Sequence, residues 1–420
     1  MTSSIRAVPI TRRPDRQLVQ LLALGTAQVL AWASSTYLPA ILGTAIAAEL
    51  QISRGTFFAA FSLSLVVMAL VGPLVGRRID RTGGRRVLLC SNLALASGLL
   101  MLAFASGIFS LYAAWCVIGL GMGLGLYDAL FATLVQQYGK SAGRLIVGVT
   151  LIGGFASTVG WPLSSWMLEH WGWRWCCAAW ALLQMCVALP LHYRYASNRR
   201  SGDAALTSTS TPTLACAVKL ASPEATAQPQ APGRRDVAYL CLFSGATAFV
   251  TSAMAVHLPT LLSLNGATAA QALFAATLLG PAQVAARLAE YGLTQHAKIR
   301  PLTTARIATA LHPAACLVLG GLGGLAAAPL AGIFFALLHG AGNGMISIAR
   351  GVLPLALFGP VGYGALTGKL ALFARTMQAC ALFAFVLILD GGGLKPALLL
   401  SGGLSLAAFF ALCKLRVGVL

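Results

Sequence analysis

Apolar residues along this chain come in long unbroken runs. Twelve such runs fall near 18–43, 54–75, 87–107, 110–138, 145–168, 174–195, 238–262, 269–296, 302–323, 328–356, 364–389 and 395–415. A helix rises 1.5 Å per residue, so about 20 residues cross a hydrocarbon core of roughly 30 Å. Strict period-two alternation is absent, which predicts helices and excludes a barrel. Helices also satisfy their own backbone hydrogen bonds, as lipid demands. Polar positions gather into short loops and one long one. Residues 196–236 carry TSTSTPT and PEATAQPQAPGRR and read as a loosely ordered linker. It divides the chain into an N-terminal six-helix bundle at 1–195 and a C-terminal six-helix bundle at 237–420.

Composition sharpens this picture. The chain is 58% hydrophobic and 9% charged over 420 residues, too little polar surface for a soluble domain of that size. A net charge of +19 raises the question of nucleic acid. The placement of the charge answers it. Of 29 Lys and Arg, 23 fall in segments on one face of the predicted topology, and only Arg54, Arg174 and Lys395 fall on the other. Arg287, Arg350 and Arg375 lie inside helices. This bias puts both termini in the cytoplasm of a bacterial-type inner membrane, as an even helix count requires, and leaves no role for nucleic acid. Arg6, Arg12, Arg13 and Arg16 precede a first run too long for a signal core, so that run is expected to stay in the membrane. Trp161, Trp166, Trp171, Trp173 and Trp175 form an interfacial belt on the external side. The ten cysteines include no CxxC pair, and no disulfide, metal site or cofactor is expected.

The two halves echo one another. GMGLGLYDALFATLVQQYG from Gly121 aligns with GAGNGMISIARGVLPLALFG from Gly340 at an offset of 219, setting Gly121, Gly123 and Gly125 on Gly340, Gly342 and Gly344. Gly72-Pro73 echoes Gly280-Pro281. Two related halves predict a midplane site between them and rocking-type alternating access.

Between the second and third helices stands GRRIDRTGGRR, from Gly76 to Arg86. Gly76 and Gly83 permit a tight turn, and Asp80 is placed to bond Arg81, Arg85 or a neighbouring helix. Topology explains the arginines but not the glycines and the acid. The segment resembles the loop signature of the major facilitator superfamily, GxxxDRxGRR, with one extra glycine at 84. That resemblance covers the whole chain. It implies an all-α polytopic fold of 12 transmembrane helices in two pseudo-symmetric six-helix bundles, a monomer, and transport rather than catalysis. In that family the loop is a cytoplasmic latch, which implies gating roles for Gly76, Asp80, Arg81, Gly83, Arg85 and Arg86. HExxH, paired catalytic carboxylates and a Ser/His/Asp set are all missing.

An ionisable group at bilayer depth is a functional candidate by default. Asp128, just past the middle of the fourth helix, is the clearest case. Arg350 lies in the tenth helix, about one turn deeper by the repeat alignment. Arg287 shares a helical face with Gln283 and Glu290. Guanidiniums stay charged and grip carboxylates bidentately, so Arg287 and Arg350 are expected to hold an anionic small-molecule substrate. Asp128 is expected to exchange a proton, or to pair with an arginine when the site is empty. Glu290 reads as a structural partner of Arg287. Lys369 and Arg375 read as headgroup anchors or gate contacts to Asp80. Asn343 is a candidate polar contact, His257 and His339 are candidate titrating groups, and Tyr127, Trp32 and Tyr37 are candidate cavity walls.

QVAARL, from Gln283 to Leu288, resembles the DxxxR element of the monocarboxylate-type branch, which includes oxalate/formate and lactate carriers. Arg287 matches that branch's substrate arginine, and Gln283 stands where a proton-coupling aspartate is common. YLPA, Tyr37 to Ala40, resembles the end of the first helix in animal monocarboxylate carriers, with Ala40 in place of a lysine. Drug-antiporter marks are incomplete, since Trp115 stands at the arginine position of RxxxGxG. The expected activity is proton-coupled carriage of a small organic anion. The alternatives are export of a drug, toxic metabolite or metalloid, and a non-transporting sensor on the same fold.

Overall fold

The computed structural model describes residues 14–196, 233–296, 300–321 and 328–415. Most of the 196–236 linker therefore lies outside the described residues. Every described element is helical. The N-terminal segment contains α1 (Pro14–Ala33), α2 (Leu38–Glu49), α3 (Arg54–Thr82), α4 (Arg85–Ala103), α5 (Ile108–Gly125), α6 (Tyr127–Tyr138), α7 (Ala142–Gly153), α8 (Ala156–Leu183) and α9 (Leu189–Tyr195). The C-terminal segment contains α10 (Arg234–Leu264), α11 (Ala269–Thr277), α12 (Leu279–His296), α13 (Pro301–Gly321), α14 (Ala328–Phe358), α15 (Tyr363–Gly392) and α16 (Leu394–Lys414). Among the described residues nine stretches are long and apolar enough to cross a membrane. The chain is an all-helical polytopic membrane protein.

Several predicted helices are discontinuous. The first is split at 34–37, where Pro39 enters the opening turn of α2. The fourth is split at Leu126, whose extended backbone (φ −71°, ψ −175°) separates α5 from α6. The run Ile108–Tyr195 counts as one 88-residue apolar stretch. It is broken at Leu126, at 154–155, and at Gly172, whose φ of +78° suits only a residue without a side chain.

Apolar packing separates by segment. One buried cluster, centred on Phe57, Trp115 and Trp180, draws only on the N-terminal segment. Two others, around Phe335 and Phe385 and around Phe243 and Leu353, draw only on the C-terminal one. A fourth, around Ile79, Leu130 and Ile146, takes in Leu355 and Tyr363 from across the divide. The segments also meet where α3 and α6 pack on α15 and α7 packs on α12 and α14.

The glycines fix the repeat register. A Cβ on Gly119 would lie 2.4 Å from Ser64 O and one on Gly123 would lie 3.4 Å from Met68 O, both on α3, while Gly121 abuts Leu95 of α4. In the other segment, Gly340 abuts Leu279 and Gly344 abuts Gln283, both on α12, while Gly342 abuts Ala308 of α13. The same packing recurs with Gly119, Gly121 and Gly123 matched to Gly340, Gly342 and Gly344. The sequence alignment is thus out by two residues, because it matched glycines without knowing which neighbour each one touches. Arg350 then falls opposite Ala129, at nearly the depth of Asp128 rather than a turn deeper. Matching Ser64 with Leu279 and Met68 with Gln283 puts Gly72 opposite Arg287, so Gly280-Pro281 is not its counterpart.

One polar staple ties three turns at a single end of the N-terminal segment. Arg174 Nε donates to Glu49 at 2.9 Å, and its Nη1 donates to the carbonyls of Ala103 and Ala105 at 2.7 and 2.9 Å. Its guanidinium also stacks 4.3 Å over Trp173. Both charges are partly exposed, which weakens the pair. Arg174→Ala is expected to lower the thermal unfolding midpoint in detergent by roughly 2–4 °C. Arg174→Lys should behave almost as badly, because an ammonium cannot serve the carboxylate and both carbonyls from one plane.

Candidate functional site

The break at Leu126 creates the site. It makes Tyr127 and Asp128 the first residues of α6, where a helix N-terminus favours a carboxylate. Opposite them on α14 stand Ser347 and Arg350, one turn apart. Arg287 and Arg375 flank this patch from α12 and α15.

Each arginine is held in its own way. Arg287, only 6% exposed, donates from Nε to Ser347 Oγ at 3.2 Å, with Gly344 O at 3.4 Å. Its guanidinium crosses to the other segment, where a Cβ on Gly154 would lie 2.1 Å from Nη1. It is within electrostatic reach of Tyr37, Tyr127 and Glu290. Glu290 is buried, with one carboxylate oxygen lacking a partner. Arg350 Nη2 donates to Thr247 Oγ1 at 2.8 Å and to Ser244 O at 3.3 Å. Arg375 Nη1 donates to Gln378 at 2.9 Å, and its Nη2 pairs with Asp128 at 3.3 Å. The Nε atoms of Arg350 and Arg375 are buried and unpartnered.

Asp128 therefore pairs with Arg375, not with Arg287 or Arg350. Arg375 sits twelve residues into α15 and meets Asp128, rather than acting as a headgroup anchor or reaching Asp80. Lys369 is exposed on the same helix. A narrow crevice is lined by Asp128 and Arg375 together with Gly72, Gly76, Thr367 and Gly368.

Aromatic rings wall the N-terminal side. Trp32 lies 5.1 Å from Tyr127 and 6.1 Å from Tyr37, and Tyr127 stacks on Phe131 at 5.1 Å. Three predicted residues stand apart from the patch, among them His339, which is bonded to His312 inside the C-terminal segment. His257 stacks on Phe385 at 5.7 Å. Asn343 accepts from Thr251 at 2.8 Å inside the C-terminal segment. Gln283 contributes its backbone to the close crossing at Gly344. Trp115 is fully buried against Phe57 and Phe61 and serves as packing.

The loop motif joins the segments. Asp80 accepts from Gly364 N at 2.9 Å and from Ala365 N at 2.7 Å, at the start of α15. Gly362, at φ +67°, turns the chain into that helix. A Cβ on Gly76 would stand 1.8 Å from Gly364 O, so the two backbones touch. The contact between segments is thus a carboxylate on a helix N-terminus. Arg81 and Arg86 are exposed, Gly83 supplies the turn at φ +83°, and Arg85 stacks 4.4 Å over Tyr193.

Known proteins place this arrangement. Residues 24–336 match the family described as Major Facilitator Superfamily. The chain belongs to that superfamily, a class of secondary active transporters and not of enzymes. A multidrug resistance protein B homolog of Mycobacterium tuberculosis is 36% identical over 115 residues, which are 26% of this chain and 21% of that protein. Mouse monocarboxylate transporter 14 is 29% identical over 128 residues, or 30% and 25% of the two chains. The chain thus spans about a fifth to a quarter of the curated relatives it matches. The human organic anion transporter MFSD10 superposes with TM-score 0.68 at 17% identity, covering 96% of this chain and 100% of that one. The proton:xylose symporter XylE superposes with TM-score 0.69 at 13% identity, covering 95% and 96%. At these identities the likeness is one of fold.

Asp80→Ala removes two charge-assisted bonds worth about 1–3 kcal/mol in all. Amide exchange at Gly364 and Ala365 is expected to speed up about tenfold or more in hydrogen–deuterium exchange of the whole protein. Unchanged exchange would show that Asp80 does not hold α15.

Proposed function

We propose that the protein carries a small organic anion across the membrane by alternating access, with anion movement linked to protons. One observation carries this reading. At membrane depth Arg287, Arg350 and Arg375 converge on a patch whose acids are Asp128 and Glu290, so one positive charge is left over. Two of the guanidiniums also keep an unpartnered buried Nε. A carboxylate substrate supplies both the missing charge and the missing acceptors. On entering, it competes with Asp128 for Arg375, and the released Asp128 takes up a proton.

The architecture we propose for this work is twelve membrane passes in two bundles, 1–195 and 237–420, joined by a 196–236 linker, with both termini in the cytoplasm of an inner membrane. Separate apolar cores and the recurring glycine pattern support two bundles. The Asp80 contact supports a cytoplasmic latch that is closed in this conformation. The organic anion and monocarboxylate carriers among the similar proteins support the substrate class. The mycobacterial multidrug homolog favours a second reading, export of a toxic compound.

Proteoliposomes with an internal pH dye separate these readings. Anion-dependent proton entry is expected, whereas accumulation of cationic dyes in inverted vesicles would establish the exporter. Asp128→Asn is expected to abolish concentrative uptake while sparing exchange. Normal accumulation by that variant would make Asp128 structural. Arg287→Lys loses the guanidinium fork and is expected to weaken anion binding about tenfold, or roughly 1.4 kcal/mol. Unchanged affinity would remove Arg287 from the site.

A further inference from the structure

The interior of the C-terminal segment holds a polar chain that the anion patch does not use. His312 of α13 and His339 of α14 are 3% and 5% exposed, and their Nδ1 atoms lie 2.8 Å apart. Nitrogens at that separation share one hydrogen, so one ring donates and the other accepts. Beyond His312, its Nε2 lies 3.5 Å from Cys316 Sγ, which lies 3.7 Å from Ser401 Oγ. When His339 donates, His312 carries its hydrogen on Nε2, toward sulfur. When His312 donates, its Nε2 is bare and accepts the thiol hydrogen. Every link works in either direction.

Both rings line a narrow cavity together with Thr247, Thr251, Asn343 and Ser405, with Val250, Ala308 and Ile346 completing its wall. The space is about that of one water, and the hydroxyls, the amide and the two rings give such a water its polar partners. Thr247 also receives the 2.8 Å bond from Arg350, so this cavity and the anion patch share a wall.

We propose that the His312–His339 pair is a second proton site, taking one proton from this cavity and strengthening the hold of Arg350 on the anion. The inference rests on the anion-carrier reading above. The proton adds to the bare Nε2 of the donating ring, leaving an imidazolium whose Nδ1–H is bonded to the neutral partner, a charge-assisted and therefore stronger bond. A second proton would set two cations against each other, so the capacity is one. The proton comes from water in the cavity and returns there when the anion leaves. Proton and anion each raise affinity for the other, as linkage requires.

The surrounding charges define what else the pair feels. On α13, Cys316 touches His312, while Arg306 is bonded to the carbonyls of Leu412 and Leu415. On α14, Arg350 is the charge reached through Thr247. α10 offers Thr247 and Thr251, with His257 set against Phe385. α16 offers Ser401 and Ser405, with Lys395 and Lys414 near its ends. Arg287 and Glu290 of α12 lie behind α14. Among the described residues, Arg350 is the one charge that shares a hydrogen-bonded wall with this cavity.

Imidazole-selective NMR of the full chain in nanodiscs tests the proposal without a substrate. The His312 and His339 signals are expected to titrate together, as one proton, between about pH 4 and 8. Arg350→Gln removes a positive charge and should raise the midpoint by about half a unit or more. Formate, a minimal carboxylate, should raise the wild-type midpoint and leave that of Arg350→Gln alone. Independent titration of the rings, no titration across the range, or a midpoint indifferent to Arg350→Gln would each overturn the proton site. A shared step that responds to Arg350→Gln but not to formate or longer monocarboxylates would uphold the site and overturn the anion reading instead.

Discussion

Hydrocarbon cannot solvate an ion, and this molecule is organised around that fact. Asp128 forms its ion pair with Arg375 across the divide between segments. Arg287 likewise extends its guanidinium to Gly154 of the opposite segment. Charges that would each cost several kcal/mol alone become tolerable only while the segments face each other. The ionised patch is therefore also a joint, and whatever enters it alters how the segments are held.

Backbone irregularity makes that joint possible. An unbroken fourth helix would bury Asp128 in mid-span, with its neighbouring amides already bonded. The extended residue Leu126 restarts the helix and brings the carboxylate to a helix N-terminus. Small residues then let groups approach. Gly154 leaves space for Arg287, and Gly153 leaves space for the Tyr127 hydroxyl, so the glycines of α7 and its end give the patch its depth.

Much of this was legible in the chain. Helix positions followed from apolar run length, and the motif around Asp80 pointed to an inter-helix bond that the structure places on the start of α15. Asp128, Arg287 and Arg350 stood out because charge is rare in such runs, and the structure sets Arg350 within electrostatic reach of Asp128 and Arg287 within reach of the adjoining Tyr127. Arg375 also lay inside an apolar run, but only packing shows that it, and neither Arg287 nor Arg350, is the arginine that pairs with Asp128. The repeat was aligned two residues out, since identical glycines carry no mark of the helix they touch. The pairing of His312 with His339 joins positions 27 residues apart on adjacent helices, and only packing reveals it.

The contact between Gly76 and Gly364 is backbone against backbone, with no side chains interlocked. Surfaces of that kind separate without any rotamer having to change, and they regain their fit without a search. At the crossing itself the side-chain bonds come from Asp80, while the apolar cluster around Ile79, Leu355 and Tyr363 packs beside it. A change at that one acid would therefore alter the strength of the crossing without altering the fit of the two backbones.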